Sequence, residues 1–94
     1  MPAIALKAFD GCTRLESIVI PASVENIYGD AFASCNALTS VYYGGDSDDW
    51  ESLYIAYGNA PLIDAALYFY SESEPEINKG DYWYWNDGEP TLWS

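Results

Sequence analysis

Apolar and polar positions along the first half of the chain repeat as a phrase. Ile4-x-x-x-Ala8-Phe9-x-x-Cys12-x-x-Leu15-x-Ser17-Ile18 returns as Ile27-x-x-x-Ala31-Phe32-x-x-Cys35-x-x-Leu38-x-Ser40-Val41, each matched position 23 residues on. A constant period of about 20 to 50 residues marks stacked repeats, each unit covering the apolar side of its neighbour. Within each unit, Leu15-x-x-Ile18-x-Ile20 and Leu38-x-x-Val41-x-Tyr43 alternate with the period of a strand. That alternation puts Ile18, Ile20, Val41 and Tyr43 inside and turns Ser17, Val19, Ser40 and Tyr42 outward. The Ala8-Phe9 and Ala31-Phe32 segments predict one helical or 3-10 turn each on the opposite wall, with Asp30 as N-cap of the second. Pro21 closes the first strand, where a missing amide costs least.

The pattern changes after Tyr43. Gly44-Gly45 breaks the strand, and Asp46-Ser47-Asp48-Asp49-Trp50 opens a short helix through Leu53, its acids suited to the positive end of the helix dipole. Ile55 takes the place of Ile4 and Ile27, and Ala60 to Ala65 predicts a second short helix. Ala66–Tyr70 then reads as a third parallel strand, with Leu67 and Phe69 inward and Tyr68 outward beside Tyr42. Ser71–Gly80 is polar, acidic and interrupted by Pro75, with too few apolar groups to fold alone. Beyond it, Tyr82-Trp83-Tyr84-Trp85, then Asn86-Asp87-Gly88 and Pro90-Thr91-Leu92-Trp93 predict a β-hairpin on an Asp-Gly turn. A lone hairpin is marginal in water, so this one is expected to dock on the last repeat. The expected fold is an α/β repeat solenoid with about three parallel strands and short helical or 3-10 turns. It spans residues 1–70, with 44–70 as a capping segment, followed by an acidic linker, 71–80, and an aromatic hairpin, 81–94.

Charge narrows the function. The chain carries a formal net charge of −12, and residues 46–94 hold eleven acids against Lys79 alone. Such a field repels phosphate backbones and anionic lipid, which argues against nucleic acid and membrane surfaces and favours solubility, cations or basic partners. No apolar run reaches the length of a membrane span, so no membrane insertion is expected. The start Met1-Pro2-Ala3-Ile4 has no basic or apolar leader pattern, so no signal peptide is read in this chain.

The phrase Ala-Phe-x-x-Cys-x-x-Leu-x-Ser-Ile-x-Ile-Pro-x-Ser-Val of Ala8–Val24 resembles the BspA-type leucine-rich repeats. Val41-Tyr42-Tyr43-Gly44-Gly45 with Trp50, followed by Asn59, Leu62 and Ala65, is similar to the end segment of such arrays. The resemblance covers roughly residues 4–70. It implies a right-handed leucine-rich-repeat coil from a bacterial cell-surface or secreted protein, used for adhesion and binding, with no catalytic residues. The chain would then be the C-terminal part of an array, acting either as a binding module for protein or glycan or purely as a cap.

Candidate chemistry is sparse. Histidine is absent and no serine sits in a nucleophile elbow, so neither an enzyme nor a cofactor is expected. Cys12 and Cys35 fall at equivalent positions on adjacent units, close enough for a disulfide, yet stacked side chains point in parallel. Two reduced, buried thiols are expected. Without histidine they make half a zinc site at most, and no metal is assigned. Asp46, Asp48, Asp49 and Glu51 lack the spacing of a calcium loop, and helix capping accounts for them. Aromatic rings remain, because flat faces stack on sugars and anchor protein interfaces. The expected binding residues are Ser17, Val19, Ser40, Tyr42 and Tyr68 on the outward strand face, and Tyr82, Trp83, Tyr84, Trp85 and Trp93 in the hairpin. The first unit is expected to lack a neighbour on its N-terminal side. Phe9, Cys12, Leu15, Ile18 and Ile20 are therefore expected on an uncovered rung able to self-associate or to continue into further repeats.

Overall fold

A computed structural model describes residues 3–93. Met1, Pro2 and Ser94, and with them the outer ends of segments 1–70 and 81–94, lie outside the described residues. The 23-residue period becomes strand register. Strand β2 (Ser17–Ile20) lies parallel to β4 (Ser40–Tyr43), pairing Ser17 with Ser40, Ile18 with Val41, Val19 with Tyr42 and Ile20 with Tyr43. The third parallel strand, β6 (Ala66–Tyr70), follows β4 with Tyr42 opposite Tyr68 and Tyr43 opposite Phe69. On the facing wall, the two-residue strands β1 (Ala3–Ile4), β3 (Asn26–Ile27) and β5 (Tyr54–Ile55) form a second parallel sheet in which Ile4, Ile27 and Ile55 align. The core lies between the walls, built on Ile20, Ile27, Phe32, Cys35, Leu38, Val41, Tyr43, Leu53 and Leu62.

Two short helices take up the extra residues of the last unit. Helix α1 (Ser47–Ser52) begins at Asp46, whose side chain accepts from the Asp49 N–H while the Asp49 carboxylate accepts from the Asp46 N–H. This reciprocal capping box satisfies amides that the first turn would leave free. Two of the four acids, Asp46 and Asp49, therefore cap the helix. Helix α2 (Ala60–Asp64) carries Pro61 in its first turn and buries Leu62. Among the described residues no helix is long and apolar enough to cross a membrane.

The turn wall corrects one expectation. Ala8-Phe9 and Ala31-Phe32 do not form helical or 3-10 turns; each lies in a succession of β-turns closed by bonds such as Ala8 N–H to Ala5 C=O and Cys12 N–H to Phe9 C=O. Left-handed residues interrupt the helix at Lys7 (φ 58°) and Gly11 (φ 82°), and again 23 residues on at Asp30 (φ 55°) and Ser34 (φ 62°). Asp30 is thus a left-handed turn residue rather than an N-cap. The reason is hydrogen bonding between units. Lys7, Phe9 and Gly11 donate to the carbonyls of Gly29, Ala31 and Ala33 at 3.1, 2.7 and 3.0 Å, so alternate amides face the next unit instead of the preceding turn.

Stacking also sets burial. Phe32, Cys35, Leu38 and Val41 are buried, whereas their counterparts Phe9, Cys12, Leu15 and Ile18 are only half-buried. Phe9 stacks on Phe32 at 5.1 Å with 12° between the rings, covering one side of each. Ile20 departs from the expected open rung, being fully buried within the core beside the Pro21–Val24 turn. Cys12 and Cys35 are free thiols, and Cys35 Sγ donates to the Phe9 carbonyl at 3.1 Å. Burial pushes the Cys35 thiol up, with Cys12 and Asp10 adding to the effect, so it is held neutral and behaves as a small apolar group.

The hairpin extends the larger sheet. Strand β7 (Tyr82–Asn86) runs parallel to β6, pairing Phe69 with Tyr82 and Tyr70 with Trp83, and β8 (Glu89–Leu92) returns antiparallel. Asp87 and Gly88 both have positive φ, 51° and 81°, as a two-residue type I′ turn requires. The sheet order is β2-β4-β6-β7-β8, so docking on the last unit occurs by strand pairing. Segment 71–80 holds an ion pair between Lys79 and Glu74 and runs into the hairpin through a 3-10 turn at Lys79–Asp81.

Candidate functional site

Alternation along five paired strands decides which rings share a face. Val19, Tyr42 and Tyr68 align across β2, β4 and β6, and Tyr70 aligns with Trp83 two residues further along. Period-two geometry then puts Trp85 on the same side as Trp83. The outer face of the sheet therefore joins the outward strand residues to half of the hairpin aromatics. Ser17, Ser40, Val19, Tyr42, Tyr68, Trp83 and Trp85 lie on it together, and Tyr70, unforeseen from the sequence, joins them. Tyr82, Tyr84 and Trp93 belong to the opposite side, where Tyr84 packs on Trp93 at 4.3 Å and Trp93 Nε1 donates to the Ser71 carbonyl at 3.0 Å.

Within the outer face the rings form a connected cluster. Tyr42 stacks on Tyr68 at 5.7 Å, and Trp83 meets Tyr42, Tyr70 and Trp85 edge-on at 5.7, 5.1 and 5.0 Å. Trp83 is the centre of this cluster and is only 1% exposed, with its Nε1 donating to the Tyr43 carbonyl at 2.8 Å. Trp83, expected as a binding residue of the hairpin, is thus enclosed rather than open to solvent. Flanking rings cover it, and its hydrogen bond ties the hairpin to β4 across β6. Trp85 is half exposed, at 50%.

Beside these rings runs an open groove of about 320 Å³, lined by Val19, Pro21, Gly44, Tyr70, Trp83 and Trp85. Gly44 makes the groove floor by close approach: a Cβ there would lie 2.9 Å from the Ala22 amide nitrogen. The break read at Gly44-Gly45 thus also lets the end of β4 lie close against Pro21 and Ala22 after β2.

Two further features lie outside the expected binding residues. Asn59, 1% exposed, accepts from the Phe32 N–H through Oδ1 at 2.9 Å, and its Nδ2 donates to the Tyr28 and Ala56 carbonyls at 3.1 and 3.0 Å. In the preceding unit Phe9 donates to a backbone carbonyl, so the Asn59 side chain stands in for the backbone of one more rung. An apolar patch also lies outside β1, β3 and β5, where Leu6, Tyr28, Tyr54 and Tyr57 are exposed around a groove of about 520 Å³.

Among the described residues no group of three or more histidine, cysteine or acidic side chains is placed to hold a metal. The family model for the BspA type leucine rich repeat region (6 copies) matches residues 2–53, just over half of the chain. Neither the curated proteins nor the solved structures include a match to it.

Proposed function

The chain belongs to the BspA-type leucine-rich repeat family, and from that premise we propose that it is a non-catalytic binding module of a surface-exposed or secreted protein. Its units would form the C-terminal end of a short right-handed solenoid, with residues 1–70 as the repeat body, 71–80 as a linker and 81–94 as the closing hairpin. Stacked repeats keep a fixed inner ladder and leave the outer positions free to vary, which makes the outer face the natural recognition surface. The observation that carries the proposal is the aromatic outer face, where Tyr68, Tyr70 and Trp85 border one groove or one stacked pair. Protein or glycan is the expected ligand class, because amphipathic rings serve both. Adhesion would follow from display on a bacterial surface.

A second reading has its own support. Trp83 is buried and bonded to Tyr43, and the hairpin ends the parallel ladder with an antiparallel strand, as a purely structural cap would. Probing a glycan array and a panel of immobilised secreted proteins with wild type, Tyr68→Ala, Trp85→Ala and Tyr84→Ala separates the two. A binding module predicts a ligand retained by wild type and Tyr84→Ala and lost in the two outer-face variants. Equal behaviour of all four proteins on every probe supports the cap. The half-buried first rung, Phe9, Cys12, Leu15 and Ile18, would meet a neighbouring repeat or a second copy.

A further inference from the structure

The groove beside Trp85 has a chemistry that narrows the ligand further. Trp83 meets Tyr70 at 65° and Trp85 at 80°, so ring planes border the groove from steeply different directions. The remaining lining is Val19, Pro21 and Gly44, with no charged side chain and no amide. The Trp83 indole N–H is already spent on Tyr43. The Trp85 indole N–H and the Tyr70 hydroxyl are the polar side-chain groups left in the lining, so a ligand rich in hydroxyls would find fewer partners here than it has in water. An alkyl stem ending in a cation meets the opposite situation, because ring faces are electronegative and attract it.

The surrounding charge agrees. No Lys or Arg occurs between Arg14 and Lys79, a span that holds eleven carboxylates. Lys79 is paired with Glu74, and Arg14 borders the open side of the first rung. Asp46 follows Gly44 by two residues, and Asp87 and Glu89 follow Trp85 by two and four. The net charge of −12 makes the field of the chain negative, and carboxylates stand close in sequence to Gly44 and Trp85.

We propose that this groove takes an arginine or lysine side chain from a basic segment of a partner protein, a specification that rests on the outer face being the recognition surface. The methylene stem lies along Val19 and Pro21, and the head group stacks on Trp85 and Tyr70. Arginine is preferred, since its planar guanidinium stacks on aromatic faces and is more weakly hydrated than an ammonium.

Tetra-arginine, tetralysine and tetraglutamine serve as probes, titrated at 150 mM NaCl and followed by the NMR signals of the four indoles and of Tyr70. Tetra-arginine should bind more tightly than tetralysine, tetraglutamine should not bind, and the shifts should centre on Trp85 and Tyr70. Trp85→Ala should weaken tetra-arginine about 5- to 20-fold, as expected for loss of a cation–π contact. Trp85→Phe should recover part of that loss, and Tyr84→Ala, on the opposite side with unchanged charge, should match wild type. Tetra-arginine affinity unaffected by Trp85→Ala would overturn the proposal, showing diffuse attraction to an acidic protein. If a ligand from the array or protein panel still depends on Trp85 in that event, the recognition face survives and its cationic specificity alone is lost.

Discussion

Asn59→Ala should lower the stability of the protein by about 3 kcal/mol, or roughly 15 °C in melting temperature for a domain of this size. The loss does not come from exposed surface, since Asn59 is fully enclosed and contributes no large apolar area. It comes from backbone groups that lose a buried partner: the Phe32 N–H and the Ala56 carbonyl are orphaned, and the Tyr28 carbonyl keeps only the Ala31 N–H at 3.3 Å. An unsatisfied buried polar group costs about 1–3 kcal/mol, and a small domain has only about 5–15 kcal/mol in total. Asn59→Asp sharpens the test. It keeps an acceptor for Phe32 but replaces two donors with charge facing two carbonyls, so it should be at least as damaging as alanine. Thermal unfolding followed by circular dichroism measures both variants. Melting within about 3 °C of wild type, well under 1 kcal/mol for this size, would show that Asn59 does not replace the backbone of a further rung.

Trp83→Ala should be the second large loss, about 4 kcal/mol for removing a large buried aromatic residue. The same substitution at Trp85, two residues away on the same strand, should cost under about 1 kcal/mol, because half of that side chain is already in water. Trp83 fills the space among Tyr42, Tyr70 and Trp85 and donates to Tyr43. Only two residue pairs link β6 to β7 in register, Phe69 with Tyr82 and Tyr70 with Trp83, so the hairpin depends on this anchor. Trp83→Phe should fall between the two, keeping ring packing and losing the indole hydrogen bond. Urea denaturation reads the series, and equal midpoints for the Trp83→Ala and Trp85→Ala variants would refute the assignment of Trp83 as the anchor.

Much of the fold was legible because its determinants are local or repeat at one spacing. Inward alternation at Ile18, Ile20, Val41 and Tyr43 and the 23-residue offset together specify β2 and β4 and their register. The acids of the first turn announce α1 by their fit to the helix dipole, and Asp87-Gly88 announces the hairpin by the φ values its turn demands. The turn wall was misread because Ala8-Phe9 and Ala31-Phe32 look locally helical, whereas their amides bond to the neighbouring unit. Gly11 and Asp30 tolerate a left-handed backbone but Lys7 and Ser34 do not advertise one, so the interruption left only a faint compositional mark.

The site was half legible for a related reason. Aromatic content marked the right segments, and alternation separates Trp83 and Trp85 from Tyr82 and Tyr84. Which pair shares the face of Tyr42 and Tyr68 depends on the pairing of Tyr70 with Trp83, across an acidic segment that carries no register information. Burial of Trp83 likewise follows from neighbours brought in by β4 and β6, not from its own strand. Asn59 was noticed only for its place in a family phrase. Its function as a substitute carbonyl becomes visible once Phe9 and Phe32 are seen to donate in the same direction.

The hairpin continues the repeat sheet and thereby makes one aromatic face from two separate stretches of sequence. The most direct measurement is a nuclear Overhauser spectrum of the wild-type protein with exchange rates for the indole protons. Cross-peaks from the Trp83 ring to Tyr42 and Tyr70, and a Trp83 indole proton exchanging far more slowly than that of Trp85, are the predicted result. A Trp83 indole exchanging as fast as that of Trp85, with no contact from residues 82–93 to Tyr42 or Tyr70, would contradict it.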